Sequence, residues 1–258
     1  MNITFLASDA CLCAQGNDSA GMVINNELLI DTGYSVLDNL KKIGINPRDI
    51  EHIYFTHLHH DHYLGLPHLI FWYLQTNKPL DKLHIYGPKA DLRRVVDLTM
   101  RFLQAGKDQP FYKNSPYPVL HELEPGDTFE TPSLKAEVGA SFHAIDCLCC
   151  RLTDKESGKV LSVTGDTYYR SDIPVSLHDC DLLVHETSLA DGKTDPANPP
   201  ACRHSAIADA VRTATEAHAK RLFVIHFAES KAEAVIKAAA ALTDIEVVYP
   251  KLFHPYEV

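Results

Sequence analysis

Residues 53–62, IYFTHLHHDH, place four histidines within six positions, directly after a short apolar run. The apolar run predicts a buried strand, so the histidines follow at the end of a sheet. Alternate residues of an extended segment point the same way, which lets His57 and His59 face one metal ion. Asp61 and His62 would face a second ion where the chain turns into a helix. Imidazole and carboxylate ligands suit zinc, manganese or iron rather than calcium.

Three further side chains stand where metal ligands would gather. His143, Asp166 and His226 each lie at or just past the end of a predicted apolar strand, and ligands of layered α/β folds collect at strand ends. A single histidine in such a place is more often a core or surface residue. Three such residues together with the 53–62 run favour a metal site over a solvated, histidine-rich loop.

The order of these motifs resembles the metallo-β-lactamase superfamily. Residues 31–33 (DTG) come first, the histidine run at 57–62 comes second, and His143, Asp166 and His226 follow. The resemblance spans nearly the whole chain. It implies an α/β fold of four layers, the αβ/βα sandwich, in which two mixed sheets are flanked by helices.

The resemblance also implies a site for two divalent metal ions, with zinc favoured over manganese or iron. Each ion would be held by three side chains: His57, His59 and His143 for the first, and Asp61, His62 and His226 for the second. Asp166 would bridge the two ions. Asp31 would hold the first motif in place from behind, as the outer hydrogen-bond partners of metal ligands commonly do.

Two further motifs resemble the ribonuclease Z branch of the superfamily. They are residues 184–187 (VHET) and 204–205 (HS), the second followed by a predicted helix. The resemblance implies that Glu186 orients His204 beside the metal ions, where His204 would protonate the leaving group. Asp61 would also orient the attacking hydroxide. The alternative for His204 is a plain helix-start residue after a proline-rich loop.

The chain departs from ribonuclease Z in one respect. That family usually carries a long tRNA-binding arm between the ligands matching His143 and Asp166, whereas the segment here reads as a plain hairpin with its turn at 155–158. The formal net charge is −10, and sequence-independent binding of nucleic acid draws on Lys and Arg. Both features disfavour extended nucleic acid and favour the related branch of cyclic-phosphate phosphodiesterases.

These features predict a dinuclear metal-dependent hydrolase that cleaves a small or cyclic phosphodiester, or a short RNA, with a metal-activated hydroxide. Alternatives with the same fold are a lactonase, a thioester hydrolase and the tRNA 3′-processing endonuclease ribonuclease Z. A non-catalytic metal-binding regulatory protein is the alternative of a different class. Tyr168 and Arg170, just after Asp166, are candidate substrate contacts, and the segment 104–118 is a candidate lid.

Length and composition suit a globular protein. The chain has 258 residues, of which 45% are hydrophobic and 22% charged, so we expect one domain over residues 1–258. No run of about 18 apolar residues is present, and the start lacks the pattern of a secretory signal, so no membrane span and a cytoplasmic location are expected. The seven cysteines are expected to be free thiols, although Cys11 and Cys13 could hold a structural zinc. Relatives in the superfamily suggest a homodimer.

Overall fold

The computed structural model describes residues 1–103, 116–195, 198 and 200–258. Within these ranges the chain forms two sheets of seven strands each. The strands of the first sheet, in spatial order, are β14 (Pro255–Glu257), β1 (Asn2–Ala7), β2 (Gly21–Ile24), β3 (Leu28–Ile30), β4 (His52–Tyr54), β5 (His84–Pro88) and β6 (Val119–Leu123). The strands of the second sheet are β13 (Glu246–Val248), β12 (Arg221–Ile225), β11 (Leu182–Glu186), β10 (Val160–Val163), β9 (Cys147–Asp154), β8 (Leu134–Ser141) and β7 (Thr128–Glu130).

Both sheets are mixed. Strands β3 to β6 pair in parallel, and β14, β1, β2 and β3 pair antiparallel. In the second sheet β10 to β13 are parallel and β7 to β10 antiparallel. Parallel strands bring their carboxyl ends to one edge of a sheet, so the loops that leave them meet there.

Six α-helices lie outside the sheets in the described ranges. They are α1 (Val36–Lys42), α2 (His60–Tyr63), α3 (Leu66–Gln75), α4 (Leu92–Leu103), α5 (Ile207–Glu216) and α6 (Ala232–Ala240). The Asp209 carboxylate accepts a hydrogen bond of 3.0 Å from the backbone N–H of Ala206, which fixes the start of α5. Pro88 could open a helix, but it ends β5 opposite Leu123, and α4 begins only at Leu92. None of the helices in the described part of the chain is long and apolar enough to cross a membrane.

Three buried clusters fix the order of the layers. The central cluster joins the inner faces of the two sheets, where the rings of Phe5 and Phe223 stack with centroids 5.8 Å apart. A second cluster packs α1, α3 and α4 on the first sheet, with Ile53 among its members. A third packs α5 and α6 on the second sheet, around residues such as Val224. The four-layer αβ/βα sandwich expected from the sequence is therefore confirmed. The predicted lid at 104–118 lies outside the described residues apart from 116–118.

One buried carboxylate ties the two sheets together at a pair of turns. Asp154, at the end of β9, accepts hydrogen bonds of 2.7 Å from both the backbone N–H and the hydroxyl of Ser157. It also accepts one of 2.8 Å from the side-chain amide of Asn25, which lies in the β2–β3 turn of the other sheet. Burial alone would raise the pKa of Asp154, but these donors outweigh burial and lower the pKa to about 2.

We expect Asp154→Asn to lower the free energy of unfolding at pH 7 by about 1–3 kcal/mol, because buried donors lose their ionised acceptor. A carboxyl group whose pKa lies below its ordinary value of 3.8 stabilises the fold above that pH, and the stabilisation is lost as pH falls towards about 2. Urea unfolding of wild type and variant between pH 7 and pH 3 measures this. The two stabilities should converge at low pH, and Asp38→Asn, an exposed carboxylate, is the control. If the difference in the free energy of unfolding between wild type and Asp154→Asn stayed constant across the pH range, Asp154 would not stabilise the fold through its charge.

Candidate metal centre

The histidine run is held at the edge of the first sheet by Asp31, which follows β3. The Asp31 carboxylate accepts hydrogen bonds from the backbone N–H of Thr56 (3.0 Å) and from its hydroxyl (2.8 Å). It lies 2.9 Å from Nδ1 of His62, so both ends of the run are fixed by one side chain. Asp31 adopts φ 53°, a left-handed conformation that Asp tolerates better than most residues. This is the placement that the resemblance implied for Asp31.

Two groups of side chains each bring their ligand atoms to within 4.8 Å of one another. They are His57, His59, His143 and Asp166 in one group, and Asp61, His62 and His226 in the other. Four strand ends supply these residues, namely those of β4, β8, β10 and β12, and β3 leads to the anchor Asp31. The structure thus brings together every side chain that the sequence suggested as a metal ligand.

Besides the carboxylate of Asp166, the first group contains three imidazoles whose nitrogens converge. His59 Nδ1 lies 3.1 Å from His57 Nε2 and 3.0 Å from His143 Nε2. Burial and the neighbouring histidines lower the pKa of His57 well below its usual value, and burial lowers those of His59 and His143. A lowered pKa favours the neutral ring, which is the form that binds a metal ion. His143 Nδ1 donates to the carbonyl of Arg203 (3.1 Å), which leaves the Nε2 lone pair facing the group.

The second group contains a buried nitrogen that lacks a partner. His62 Nδ1 is occupied by Asp31, and its Nε2 has no hydrogen-bond partner among the described residues. Buried polar atoms are nearly always paired. His62 Nε2 faces Asp61 Oδ2 at 3.7 Å, and Asp61 Oδ2 lies 3.3 Å from His226 Nε2. A divalent cation between these atoms would satisfy all three.

The electrostatics of the second group favour a cation. Burial alone would lower the pKa of His62, but the charges of Asp31 and Asp166 raise it to about 9. Burial likewise opposes the ionised form of Asp61, yet His226 and His62 hold the pKa of Asp61 well below its usual value. The attraction of the ionised carboxylates therefore outweighs the cost of burying a positive charge on His62. A divalent metal ion, when bound, would take the place of the proton on His62. The donor set fits zinc or a similar divalent ion.

Asp166 lies between the two groups. Its Oδ2 is 3.6 Å from His57 Nε2 and 3.7 Å from His62 Nε2, one nitrogen from each group. The loop that carries Asp166 approaches the first sheet closely at Gly165, where a Cβ would come within 2.9 Å of Thr56 Cβ and where φ is 62°. Only glycine meets both conditions without strain. The position of Asp166 is the one that a bridging ligand would take.

His204 and Glu186 form a pair beside this centre. Glu186 Oε1 lies 3.0 Å from His204 Nδ1 and also accepts from the backbone N–H groups of Thr167 and Ser205, both at 3.1 Å. His204 Nδ1 lies 3.8 Å from Asp166 Oδ2. His204 also brings a ligand atom to within 4.8 Å of Asp166 and His226, so it overlaps the edge of both groups. Glu186 thus orients the imidazole of His204 directly beside the two ligand groups.

Known proteins share this architecture over their full length. Ribonuclease BN of Cronobacter sakazakii is 25% identical, with 97% of this chain and 96% of that protein covered. Human tRNase Z, short form, superposes with a TM-score of 0.77 at 25% identity, over 100% of this chain and 99% of that one. The metallo-β-lactamase fold protein YhfI from Bacillus subtilis superposes with a TM-score of 0.81 at 20% identity, over 99% and 98%.

The family described as anti-Pycsar protein Apyc1 matches residues 1–245. The chain belongs to this family. It is a metal-dependent hydrolase with the metallo-β-lactamase fold, in the ribonuclease Z-like branch. The resemblance drawn from the sequence motifs is therefore confirmed, and so is the expectation of an enzyme.

Sequence reasoning missed Ser188 in this Apyc1-family chain. Its hydroxyl lies 2.8 Å from Glu186 Oε2, 3.2 Å from His204 Nδ1 and 2.8 Å from His226 Nδ1. Ser188 thus connects the Glu186–His204 pair to a candidate ligand. The only signal in the sequence is its position two residues after Glu186, at the end of β11. Such a signal is too weak to single out one serine.

The candidate substrate contacts line a pocket next to His143, with a volume of about 660 Å³. Tyr168 and Arg170 both contribute to its wall. The Arg170 guanidinium pairs with Asp172 at 2.7 and 2.6 Å and lies 4.2 Å from the ring centroid of Phe142. Contact of Tyr168 and Arg170 with substrate stays a prediction.

All seven cysteines are free thiols, as expected. Cys11 is exposed, and Cys13 Sγ donates to the carbonyl of Ala10 at 3.3 Å. Among the described residues, no cysteine joins a group of potential metal ligands. The structure therefore offers no support for a zinc ion held by Cys11 and Cys13.

Proposed function

We propose that this chain hydrolyses a small phosphodiester, cyclic or linear, at a centre that binds two divalent cations, with zinc as the first choice. The observation that carries the proposal is the Glu186–His204 pair, joined at 3.0 Å and placed 3.8 Å from Asp166. An oriented imidazole beside a metal centre suits a reaction whose leaving group must receive a proton. A phosphodiester with an alkoxide leaving group has that need.

The residues present would hold the two cations in the two groups already described, with Asp166 between them. Such ions, when bound, would supply positive charge for the phosphate oxygens and lower the pKa of a water molecule. Asp61 and Asp166 offset only half of the charge of two divalent ions, so the centre would attract an anionic substrate despite the net charge of −10. Asp61, next to His226, would orient the attacking oxygen.

His204 would deliver the proton to the leaving oxygen. Burial opposes its charged form, but the carboxylates of Glu186 and Asp166 outweigh burial and raise the pKa of His204. The ring is therefore protonated over a wider pH range than a free histidine. With Nδ1 held by Glu186, Nε2 remains to face the leaving group. General acids of this kind contribute about 10²–10⁴-fold to the rate.

A second candidate substrate is the 3′ end of a tRNA precursor. The whole-length match to a ribonuclease BN and to human tRNase Z favours it. Against it, β9 and β10 are joined by a tight turn at 155–158, at the place where an RNA-binding arm would be expected. A small substrate also suits the pocket of about 660 Å³ beside His143, a typical volume for a small-molecule site.

We further propose that residues 1–258 act as one domain and that the protein is a cytoplasmic homodimer. The central cluster shared by both sheets supports the single domain, because neither sheet could bury its inner face alone. Free thiols support a reducing compartment. Sedimentation of the purified protein would measure the subunit number.

We expect the zinc- or manganese-loaded protein to hydrolyse the phosphodiesters in a panel of substrates and none of the other compounds. All compounds are assayed under identical conditions. The panel holds an aryl phosphodiester, a cyclic nucleotide, an unstructured RNA, an acyl lactone and a glutathione thioester. Metal-stripped protein is the control, and the metal content is measured on the same sample. Turnover of the lactone or thioester instead would contradict the proposal, and processing of tRNA precursors alone would favour the second candidate. Tight metal binding without any turnover would support a regulatory protein.

A further inference from the structure

Among the described residues, one basic side chain in the wall of the pocket beside His143 has no carboxylate partner. Three basic side chains line this pocket: Lys89, Arg170 and Arg203. Lys89 Nζ lies 2.9 Å from Glu124, and Arg170 is paired with Asp172. Among the described residues, Arg203 forms no ion pair, although Asp146 also lies in the pocket wall. The charge of Arg203 is therefore available to an anionic ligand.

Arg203 is held in place by a reciprocal pair of hydrogen bonds. Its guanidinium Nη1 donates to the carbonyl of His143 at 2.9 Å, and His143 Nδ1 donates to the carbonyl of Arg203 at 3.1 Å. The backbone of Arg203 adopts φ 54°, an uncommon conformation for arginine that such contacts would have to stabilise. A guanidinium has five N–H donors, and in the described ranges this one uses a single donor. The remaining donors keep the fork geometry that matches phosphate oxygens.

The position of Arg203 connects three functional elements. It precedes His204 in the chain, it is bonded to the candidate ligand His143, and it lines the pocket. An anion bound to the free N–H donors of Arg203 would lie next to the first ligand group. It would also lie close to the loop that carries His204. Among the described residues of the pocket wall, Arg203 is the basic residue that combines these contacts.

We propose that Arg203 binds a non-bridging oxygen of the substrate phosphate in this pocket and so sets the distance between the phosphate and His204. The inference rests on the proposed phosphodiesterase function, and it adds a binding residue to the metal ligands and to His204. Arg203 is exposed, so the interaction is partly screened by solvent. A hydrogen bond between a guanidinium and a phosphate oxygen is nevertheless stronger than one between neutral groups.

The experiment compares metal-loaded wild type with Arg203→Met, Arg203→Lys and Arg94→Met. Arg94 is an exposed arginine of α4 that pairs with Asp91, so its variant controls for the loss of one surface charge. Three quantities are measured: metal content, kcat and KM for an aryl phosphodiester, and binding of inorganic phosphate by calorimetry. For Arg203→Met we expect kcat/KM to fall about 10- to 100-fold, mainly through KM. Phosphate binding should weaken in parallel, with full metal content. Arg203→Lys should recover part of the loss, because it restores the charge without the fork.

Two outcomes would overturn the inference. One is equal phosphate binding in wild type, Arg203→Met and Arg94→Met. The other is a loss of metal from Arg203→Met, because Arg203 would then act only by holding His143. If wild type hydrolyses no phosphodiester, the proposed function fails, but phosphate binding still decides the role of Arg203. The two hypotheses are thus tested separately.

Discussion

Asp166→Ala is expected to abolish metal retention and hydrolysis together. The Asp166 carboxylate lies 3.6 Å from His57 Nε2, 3.7 Å from His62 Nε2 and 3.9 Å from His143 Nε2, so it serves both ligand groups at once. Without it, the converging imidazoles would face each other with less negative charge between them. Removal of a mere supporting partner costs about 10–100-fold in metal affinity or activity, and loss of a bridging ligand should exceed that range.

Metal analysis after exhaustive dialysis and a phosphodiester assay on the same sample measure this effect. Asp179→Ala is the matched control, because Asp179 is an exposed carboxylate that belongs to neither ligand group. We expect the control to keep wild-type metal content and rate. If Asp166→Ala retained two equivalents of metal, the bridging role would be wrong, whatever happened to the activity.

His204→Ala is expected to keep the metal content and to lose turnover by about 10²–10⁴-fold for substrates with an alkyl leaving group. The reason is that the proposal assigns the metal ions to the other two groups of side chains and makes His204, held by Glu186 at 3.0 Å, the proton donor. Substrates with an activated aryl leaving group need little protonation, so they should lose much less. Glu186→Gln should give the same pattern with a smaller loss, because the ring keeps its position but loses a charged acceptor.

The measurement is kcat for a series of phosphodiesters with leaving groups of increasing pKa, combined with metal analysis. His218→Ala is the control, since its ring is exposed and lies outside the centre. A steeper dependence of rate on leaving-group pKa in His204→Ala would support the general acid. Equal slowing of aryl and alkyl esters would contradict it, and loss of metal would make His204 a ligand.

The fifteen histidines of the chain were the strongest signal in the sequence, but they do not share one role. Five of them belong to the two ligand groups, and His204 lies beside these groups. Three others, His52, His84 and His121, stack across β4, β5 and β6 with centroids 5.2 and 5.3 Å apart. His52 and His84 are the first residues of their strands, and His121 lies in the middle of β6. All three therefore lie away from the histidine run, which follows the end of β4. Composition alone could not separate the two sets, because their separation depends on which end of a strand each residue occupies.

The candidate ligands could be predicted from local patterns in the sequence, and the fold could be predicted because the order of these motifs resembles a known superfamily. The 57–62 run follows a strand, Asp166 and His226 follow two others, and strand ends of parallel sheets meet at one edge. Only the tertiary structure decided the contacts of Ser188 and Arg203. Ser188 reaches His226 from 38 positions away and Arg203 reaches His143 from 60 positions away. Such contacts arise from the packing of loops on two sheets, where distances of a few ångströms depend on the whole fold rather than on any neighbouring residue.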